Sequence, residues 1–538
     1  MEDNQDIAMM MVHGYDLALM DPSTRMLFQQ VYAALPEPPV RHAAPLSPAA
    51  AASAPDGVDR ISRLPAEVLR RVVSRLPAKD AARTTVLSRR WRRVWHTTPL
   101  VLVDAHLLPA HAHAAGVARL LQALAPGSSN VAAAVSRALA AHPGPFRFVH
   151  LTGTLMDAHQ AELVRWLQLL AAKGVQELVL VNRARTMESD LRLPATLFRC
   201  TALTRLYIGF WRFPDTATLP RNAAFPYLQE LGLGSLVMDE RDLAFLLDKC
   251  PVLEKLILVG SRWPVCIRVQ SRSLRCVEVC TAIVPEISVV HASQLERLLL
   301  WEAWGDGGIT NMSSKIKIGH APKLRFLGFL VPGMHELQIG NTIIKVGTRA
   351  SPNTTVPSVQ MLAIQVKLGS HIEARMLPSF LRCFPNIETL YVQSENPEIP
   401  FWGPQSSSSS TGKLNLKFWK EAGSIECVQR HIKKLVLREF RGNRCELDFL
   451  KFIAERAQVL EEMVIIMTHG YSPSDQVGTK LKTFLASAKW ANGRCKLMVF
   501  KSPFHVECHP WCYLRAFDLS NKDPFDCSKC LEGKCLSH

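Results

Sequence analysis

Nine times between residues 175 and 392 the chain carries a short run of the form L-x-x-L-x-L, with other apolar residues standing in at some leucine positions. The runs are VQELVL at 175, LTRLYI at 203, LQELGL at 228, LEKLIL at 253, LRCVEV at 274, LERLLL at 295, LRFLGF at 324, VQMLAI at 359 and IETLYV at 387, with starts 21 to 35 residues apart. A unit of that length with one short strand cannot bury its own apolar edge, and is stable only when stacked on its neighbours. The pattern therefore predicts a parallel-strand solenoid over 146–402. Helix-like links are expected between the strands. In DERDLAFLLDKCP at 239–251, Asp239 is placed to cap and Leu243, Leu246 and Leu247 to face the strand layer. The leucine-type positions read as core. The intervening positions Glu177, Arg205, Glu230, Lys255, Arg297 and Arg325 are the candidates for contact with a protein partner.

At 538 residues the chain exceeds one ordinary core, and with 48% apolar and 20% charged residues most of it should fold. The first residues lack a basic start followed by an apolar run, and no stretch is long and apolar enough to span a bilayer. The fourteen cysteines are then expected to stay reduced, with Cys200, Cys250 and Cys383 acting as small core hydrophobes in a nuclear or cytoplasmic protein, the nucleus slightly favoured. The formal charge of +16 is unevenly placed: residues 60–93 hold eleven Lys and Arg against Glu67 and Asp80.

That basic segment is dense in helix signals. Pro65 suits a first turn, Val68, Leu69, Val72 and Leu76 share one face, and Pro77 stops the helix. A second short helix is predicted from Lys79 to Thr85. A third starts at Ser88, with Leu87, Trp91, Val94 and Trp95 on one face and Arg89, Arg90, Arg92 and Arg93 on the other. So small a module leaves apolar surface for a partner. The stretches LPAEVLRRVVSRLP and VLSRRWRRVW resemble the F-box. The resemblance implies docking onto a Skp-family adaptor, and through it onto cullin and RING subunits. It also implies that Leu64, Pro65, Leu69, Leu76, Pro77, Val86, Leu87, Trp91 and Trp95 include the docking residues.

The repeats resemble the degenerate leucine-rich repeats of plant F-box receptors, but Leu236, Ser261 and Ala282 stand where Asn or Cys is usual. After the serine run, HIKKLVLREFRGNRCELDFLKFIAERAQVLEEMVIIM predicts a strand, a turn at Gly442, a helix with Leu447, Leu450, Ile453 and Ala457 inward, and a second strand. A helix from Val477 to Ala488 and a strand at 495–500 complete the unit. The order F-x-G-x-x-x-E-L-x-F-L-K-F followed by V-L-E-E-M-V-I resembles the FBD domain, with Gly442 and Glu446 at its telling positions. The expected fold is α+β and multidomain: a disordered N-terminal segment and linker over 1–58, a three-helix F-box over 59–107, an Ala-rich connector over 108–145, an α/β leucine-rich repeat solenoid over 146–402, a Ser-rich linker over 403–412, an FBD-like α/β cap over 413–500 and a Cys-rich tail over 501–538.

Cys508, Cys512, Cys527, Cys530 and Cys535 approach zinc-ribbon spacing, but Pro510 and Trp511 fill the first gap and no glycine aids either knuckle. The tail is read as an unstructured extension without metal. His111, His113 and His142 lack ligand spacing and are read as solvent-facing. Zincin, nucleophile-elbow, phosphate-loop and dinucleotide signatures are absent. The resemblance thus implies a non-catalytic, cofactor-free substrate receptor of a Skp-cullin-F-box ubiquitin ligase. The alternatives are a basic nucleic-acid-binding repeat protein and an F-box scaffold that does not direct degradation.

Overall fold

The computed structural model describes residues 22–40, 59–107, 128–182, 191–219, 223–305, 313–394, 416–502 and 512–526. The chain divides into two compact units, 1–253 with 258–261, and 254–257 with 262–538.

The first unit opens with helix α1 (Pro22–Ala33), followed by α2 (Ala66–Val73), α3 (Ala78–Arg83), α4 (Arg89–Thr97), β1 (Leu100–Val103), α5 (Ser128–Ala141), β2 (Phe146–Leu151), α6 (Gln160–Ala172), β3 (Glu177–Val181), β4 (Arg205–Gly209), β5 (Glu230–Gly234) and α7 (Glu240–Asp248). Strands β1 to β5 pair in chain order, every pair parallel. The sheet therefore begins at Leu100, immediately after α4, and not at 146. Leu178, Leu180, Leu206, Ile208, Leu231 and Leu233 are all buried beneath it. Helix α7 begins at Asp239, the expected cap, which forms a capping box with Asp242.

The N-terminal segment departs from its expectation of disorder. Leu27, Phe28, Val31 and Tyr32 of α1 are buried. Phe28 stacks on Phe210 with ring centroids 4.3 Å apart, and α1 lies close over the ends of the strands. A Cβ added at Gly234 would come within 2.6 Å of Val31, and one at Gly260 within 2.3 Å of Leu27. The apolar stripe of α1 is short, and the glycines that receive it lie some 200 residues away in sequence, so local periodicity does not reveal the docking.

Strand β6 (Lys255–Val259) carries the division between the units. The second unit holds β7 (Ile267–Gln270), β8 (Cys276–Ile283), β9 (Glu286–His291), β10 (Arg297–Trp304), β11 (Ser314–His320), β12 (Phe326–Leu330), β13 (His335–Ile339), β14 (Thr342–Ile343), β15 (Met361–Val366), α8 (His371–Arg382), β16 (Thr389–Ser394), α9 (Leu416–Glu421), α10 (Glu426–Arg430), β17 (Lys434–Phe440), α11 (Arg444–Arg456), β18 (Glu462–Met467), α12 (Gln476–Ala486), β19 (Lys496–Phe500) and α13 (Tyr513–Phe517). One sheet runs β8-β10-β12-β15-β16-β17-β18-β19 in parallel. A second runs β14-β13-β11-β9-β7. Links expected to be helical are thus strands between 262 and 345. Their residues alternate, as in Ile267–Gln270 with burial in, out, in, out, which suits a pleated sheet and not a helix.

The FBD-like region is not a separate cap, because β17 pairs directly with β16. Its strands carry the repeat pattern themselves, with Ile432, Leu435 and Leu437, then Leu460, Met463 and Ile465, all buried. Gly442 adopts φ +78° and turns the chain into α11. There Glu446 and Asn443 form a capping box, and Leu447, Leu450, Ile453 and Ala457 point inward.

Six units share a backbone feature. Phe210, Ser235, Gly260, Thr281, Glu302 and Glu439 have φ between 46° and 69°, each immediately after the fifth residue of its strand motif. The register of β8 with β10 passes from Cys280–Trp301 to Ala282–Ala303, stepping over Thr281 and Glu302 together. A left-handed residue turns these strands one position before the place where a leucine-rich repeat usually has asparagine. In the β3 unit the residue level with Phe210 is Asn182, whose Nδ2 donates to Phe210 O at 3.3 Å.

Residues 512–526 are also ordered, against the expectation of an unstructured extension. Tyr513, Ala516, Phe517 and Phe525 are buried. Of the tail cysteines, Cys508, Cys527, Cys530 and Cys535 lie outside the described residues, as do His111 and His113.

Candidate functional site

Three short helices build the N-terminal module of the first unit. Ser88, extended at φ −168°, caps α4 by accepting from Trp91 N at 3.4 Å. Trp91 Nε1 donates to Ser62 Oγ at 2.7 Å, and the Arg90 guanidinium forks onto the carbonyls of Ser62 and Leu64. These bonds fasten the turn before α2 onto α4. Asp59 accepts from Ser62 N at 2.8 Å, and hydrogen bonding from Ser62 lowers the carboxyl pKa.

The structure leaves four of the nine candidate docking residues buried, one half-buried and four exposed. Leu69, Pro77, Trp91 and Trp95 are buried and belong to the module's core. Trp91 is 4% exposed; Trp95 packs edge-on against His142 at 4.9 Å. His142 is itself buried, contrary to its solvent-facing expectation, and burial holds its pKa down at about 4. Pro77 bridges to Val101, and Leu76 is half-buried. Leu64, Pro65, Val86 and Leu87 are exposed, Val86 at 81% and Leu87 at 63%. Leu87 therefore does not share the buried face of Trp91; it precedes the N-cap, where helical spacing does not yet apply. Ile61, Val68 and Val72 are exposed as well and extend the candidate surface. The signal for Val68 and Val72 was their position beside Leu69 and Val73 on a stripe too wide for one small core to cover.

The candidate partner-contact residues do not form one open site. Glu177, Arg205 and Glu230 are paired across β3, β4 and β5. Arg205 reaches Glu177 Oε2 at 2.9 Å and Glu230 Oε1 at 3.0 Å, while Tyr207 Oη donates to Glu230 Oε1 at 2.9 Å. Glu230 is consequently buried. Lys255 Nζ lies 5.2 Å from the centre of the Phe517 ring. Arg325 Nε donates to Gln360 Oε1 at 2.9 Å. Arg297 is only 2% exposed and faces the chain's own residues 512–526, so it is not available to a partner in this state.

Three family models match the chain: F-box domain at 61–102, the LRR repeats of FBD-associated F-box protein At5g56370 at 163–392, and FBD at 420–465. The chain belongs to the plant F-box/LRR/FBD family. Among relatives of this F-box/LRR/FBD chain, an F-box/FBD/LRR-repeat protein of Arabidopsis thaliana is 29% identical over 37% of this chain and 44% of its own length. An Arabidopsis thaliana F-box/LRR-repeat protein is 25% identical over 82% of this chain and 88% of its own. F-box/LRR-repeat protein 13 of the same plant is 23% identical over 78% and 92%. F-box proteins are generally substrate-recognition subunits of Skp-cullin-F-box ligases, and an F-box implies binding to a Skp-type adaptor. Among the described residues, this F-box/LRR/FBD chain has no group of three His, Cys, Asp or Glu arranged for a metal, and no helix long and apolar enough to cross a membrane.

Proposed function

We propose that this chain is the substrate receptor of a Skp-cullin-F-box ubiquitin ligase, in which a three-helix F-box holds the adaptor while a repeat solenoid continued by the FBD region holds a target protein. The observation that carries the reading is the set of exposed apolar side chains at Ile61, Leu64, Val86 and Leu87, on a module whose tryptophans already fill its core. Surface of this kind on so small a module is what a protein partner covers. Such a receptor needs no reacting residue. Its contribution is to raise the effective concentration of a target lysine beside the charged ubiquitin carrier.

Arg90 weakens the nucleic-acid alternative, because it is spent on Ser62 and Leu64 carbonyls inside the module. The test is reconstitution. Full-length chain mixed with recombinant adaptor, cullin and RING subunits should elute as one complex. A chain that leaves the adaptor in its own fraction, yet binds duplex DNA with a steep salt dependence, overturns the proposal.

A further inference from the structure

Residues 512–526 lie on the second unit's sheet much as a bound peptide would. By register, Arg297 on β10 is level with Phe326, Met361, Thr389 and Lys434, so Arg297, Tyr391 and Arg438 point to the same face of the sheet. Arg297 Nη1 donates to the carbonyls of Ala516 at 2.6 Å and Asp518 at 2.9 Å, and Nη2 to those of Leu519 and Asn521. Arg438 donates to the Phe525 carbonyl. Tyr391 Oη donates to Asp523 Oδ2 at 2.7 Å. The Phe525 ring, 1% exposed, sits 5.6 Å from the Phe329 ring and 5.4 Å from that of Tyr391.

These contacts divide into two kinds. Arg297 and Arg438 read main-chain carbonyls, which any polypeptide offers. Tyr391 and the aromatic pocket read one acidic residue and one aromatic residue two positions later. The segment supplies its own turn, with Phe525 N donating to Asp523 Oδ1 at 3.0 Å. Its helix α13 has five residues, too few to persist in water by itself. Two guanidiniums kept on a buried face are a costly way to close a core, because each must be desolvated and apolar residues would fill the same space more cheaply. They are well suited to gripping a polypeptide backbone.

We propose that this face is a peptide-binding groove for a partner segment with an acidic residue two positions before an aromatic one, and that Asp523 and Phe525 occupy it in cis as an internal competitor. That the peptide's source is a ligase target rests on the receptor reading. The groove itself does not, and its test contains no adaptor, so either idea can fail alone.

The probe is a fluorescent synthetic peptide of residues 512–526, titrated against full-length chain and against the full-length D523A/F525A variant. The variant should bind the peptide at least about tenfold more tightly than the wild type, and adding Arg297→Ala to it should abolish binding. A variant with wild-type melting behaviour that gains no affinity overturns the proposal. Hydrogen exchange on the wild-type chain guards against a variant that fails to fold. Amides of 516–526 should open before those of β15 and β16, and exchange as slow as in those strands would make the segment fixed core.

Discussion

Changing Val86 and Leu87 to serine separates docking from packing. Val86 is 81% and Leu87 63% exposed, so neither contributes much to the folded chain alone. Covering the exposed part of each with a partner contributes about 1 to 2 kcal/mol, at the usual value for burying an aliphatic side chain. The V86S/L87S chain should therefore lose about 2 to 4 kcal/mol of adaptor affinity, or roughly thirtyfold to a thousandfold, with an unchanged melting curve. Trp91→Ala is the contrasting case. At 4% exposure and bonded to Ser62, its loss opens a cavity and costs about 3 to 5 kcal/mol of fold stability. Its affinity should recover at low temperature where the module refolds. The assay is calorimetric titration of purified adaptor into full-length variants, paired with thermal melts. Undiminished binding by V86S/L87S, or a melt shifted as far as that of Trp91→Ala, refutes the assignment of these residues to the contact surface.

His335 predicts a pH dependence. Its Nδ1 accepts from Val331 N at 3.1 Å and its other ring nitrogen bonds Ala303 O at 3.0 Å, so the buried ring is neutral and burial lowers its pKa to about 4. The unfolded chain takes up this proton first, near pH 6.5; the stability is whole above that value and falls by about 3 kcal/mol as pH drops to 4. His335→Gln should flatten the fall in urea midpoint over that window, and an unaltered slope would count against it. Glu446 accepts from Ser394 Oγ at 2.6 Å, Arg441 N at 3.1 Å and Asn443 N at 2.9 Å, while 1% exposed. Glu446→Ala should cost about 2 to 4 kcal/mol by leaving those donors without it, and Glu446→Gln clearly less; equal urea midpoints for the two variants would contradict this.

The leucines of each run were legible because strand and core positions recur with a fixed offset inside every unit, and the cap at Asp239 was legible because it is local. What failed was long-range. Trp91 and Trp95 look like anchors in sequence, since aromatics dominate many interfaces, but a module this small spends its largest rings on its own core. Helix α1 and residues 512–526 gave no sign of docking. Their receiving surfaces, Gly234 and Gly260 for one and Arg297, Tyr391 and Arg438 for the other, are assembled from strands distant in the chain. Arg297 was indistinguishable from a solvated charge until its carbonyl partners were placed.

The left-handed residue at Phe210, Ser235, Thr281, Glu302 and Glu439 bears on how such chains vary over time. A ladder of asparagine amides ties each coil to the next, so an insertion in one coil disturbs its neighbours' bonds. A backbone corner still bonds the next coil, Phe210 N to Gly234 O and Ser235 N to Val259 O, but only through main-chain groups at the strand end, and it costs about 1 kcal/mol locally whatever the length of the link that follows. Starts spaced anywhere from 21 to 35 residues are then tolerated. Links can be lengthened, or recast from helix into strand, one coil at a time. Lineages built on this corner can therefore reshape what lies between their strands without re-tuning the rest of the array.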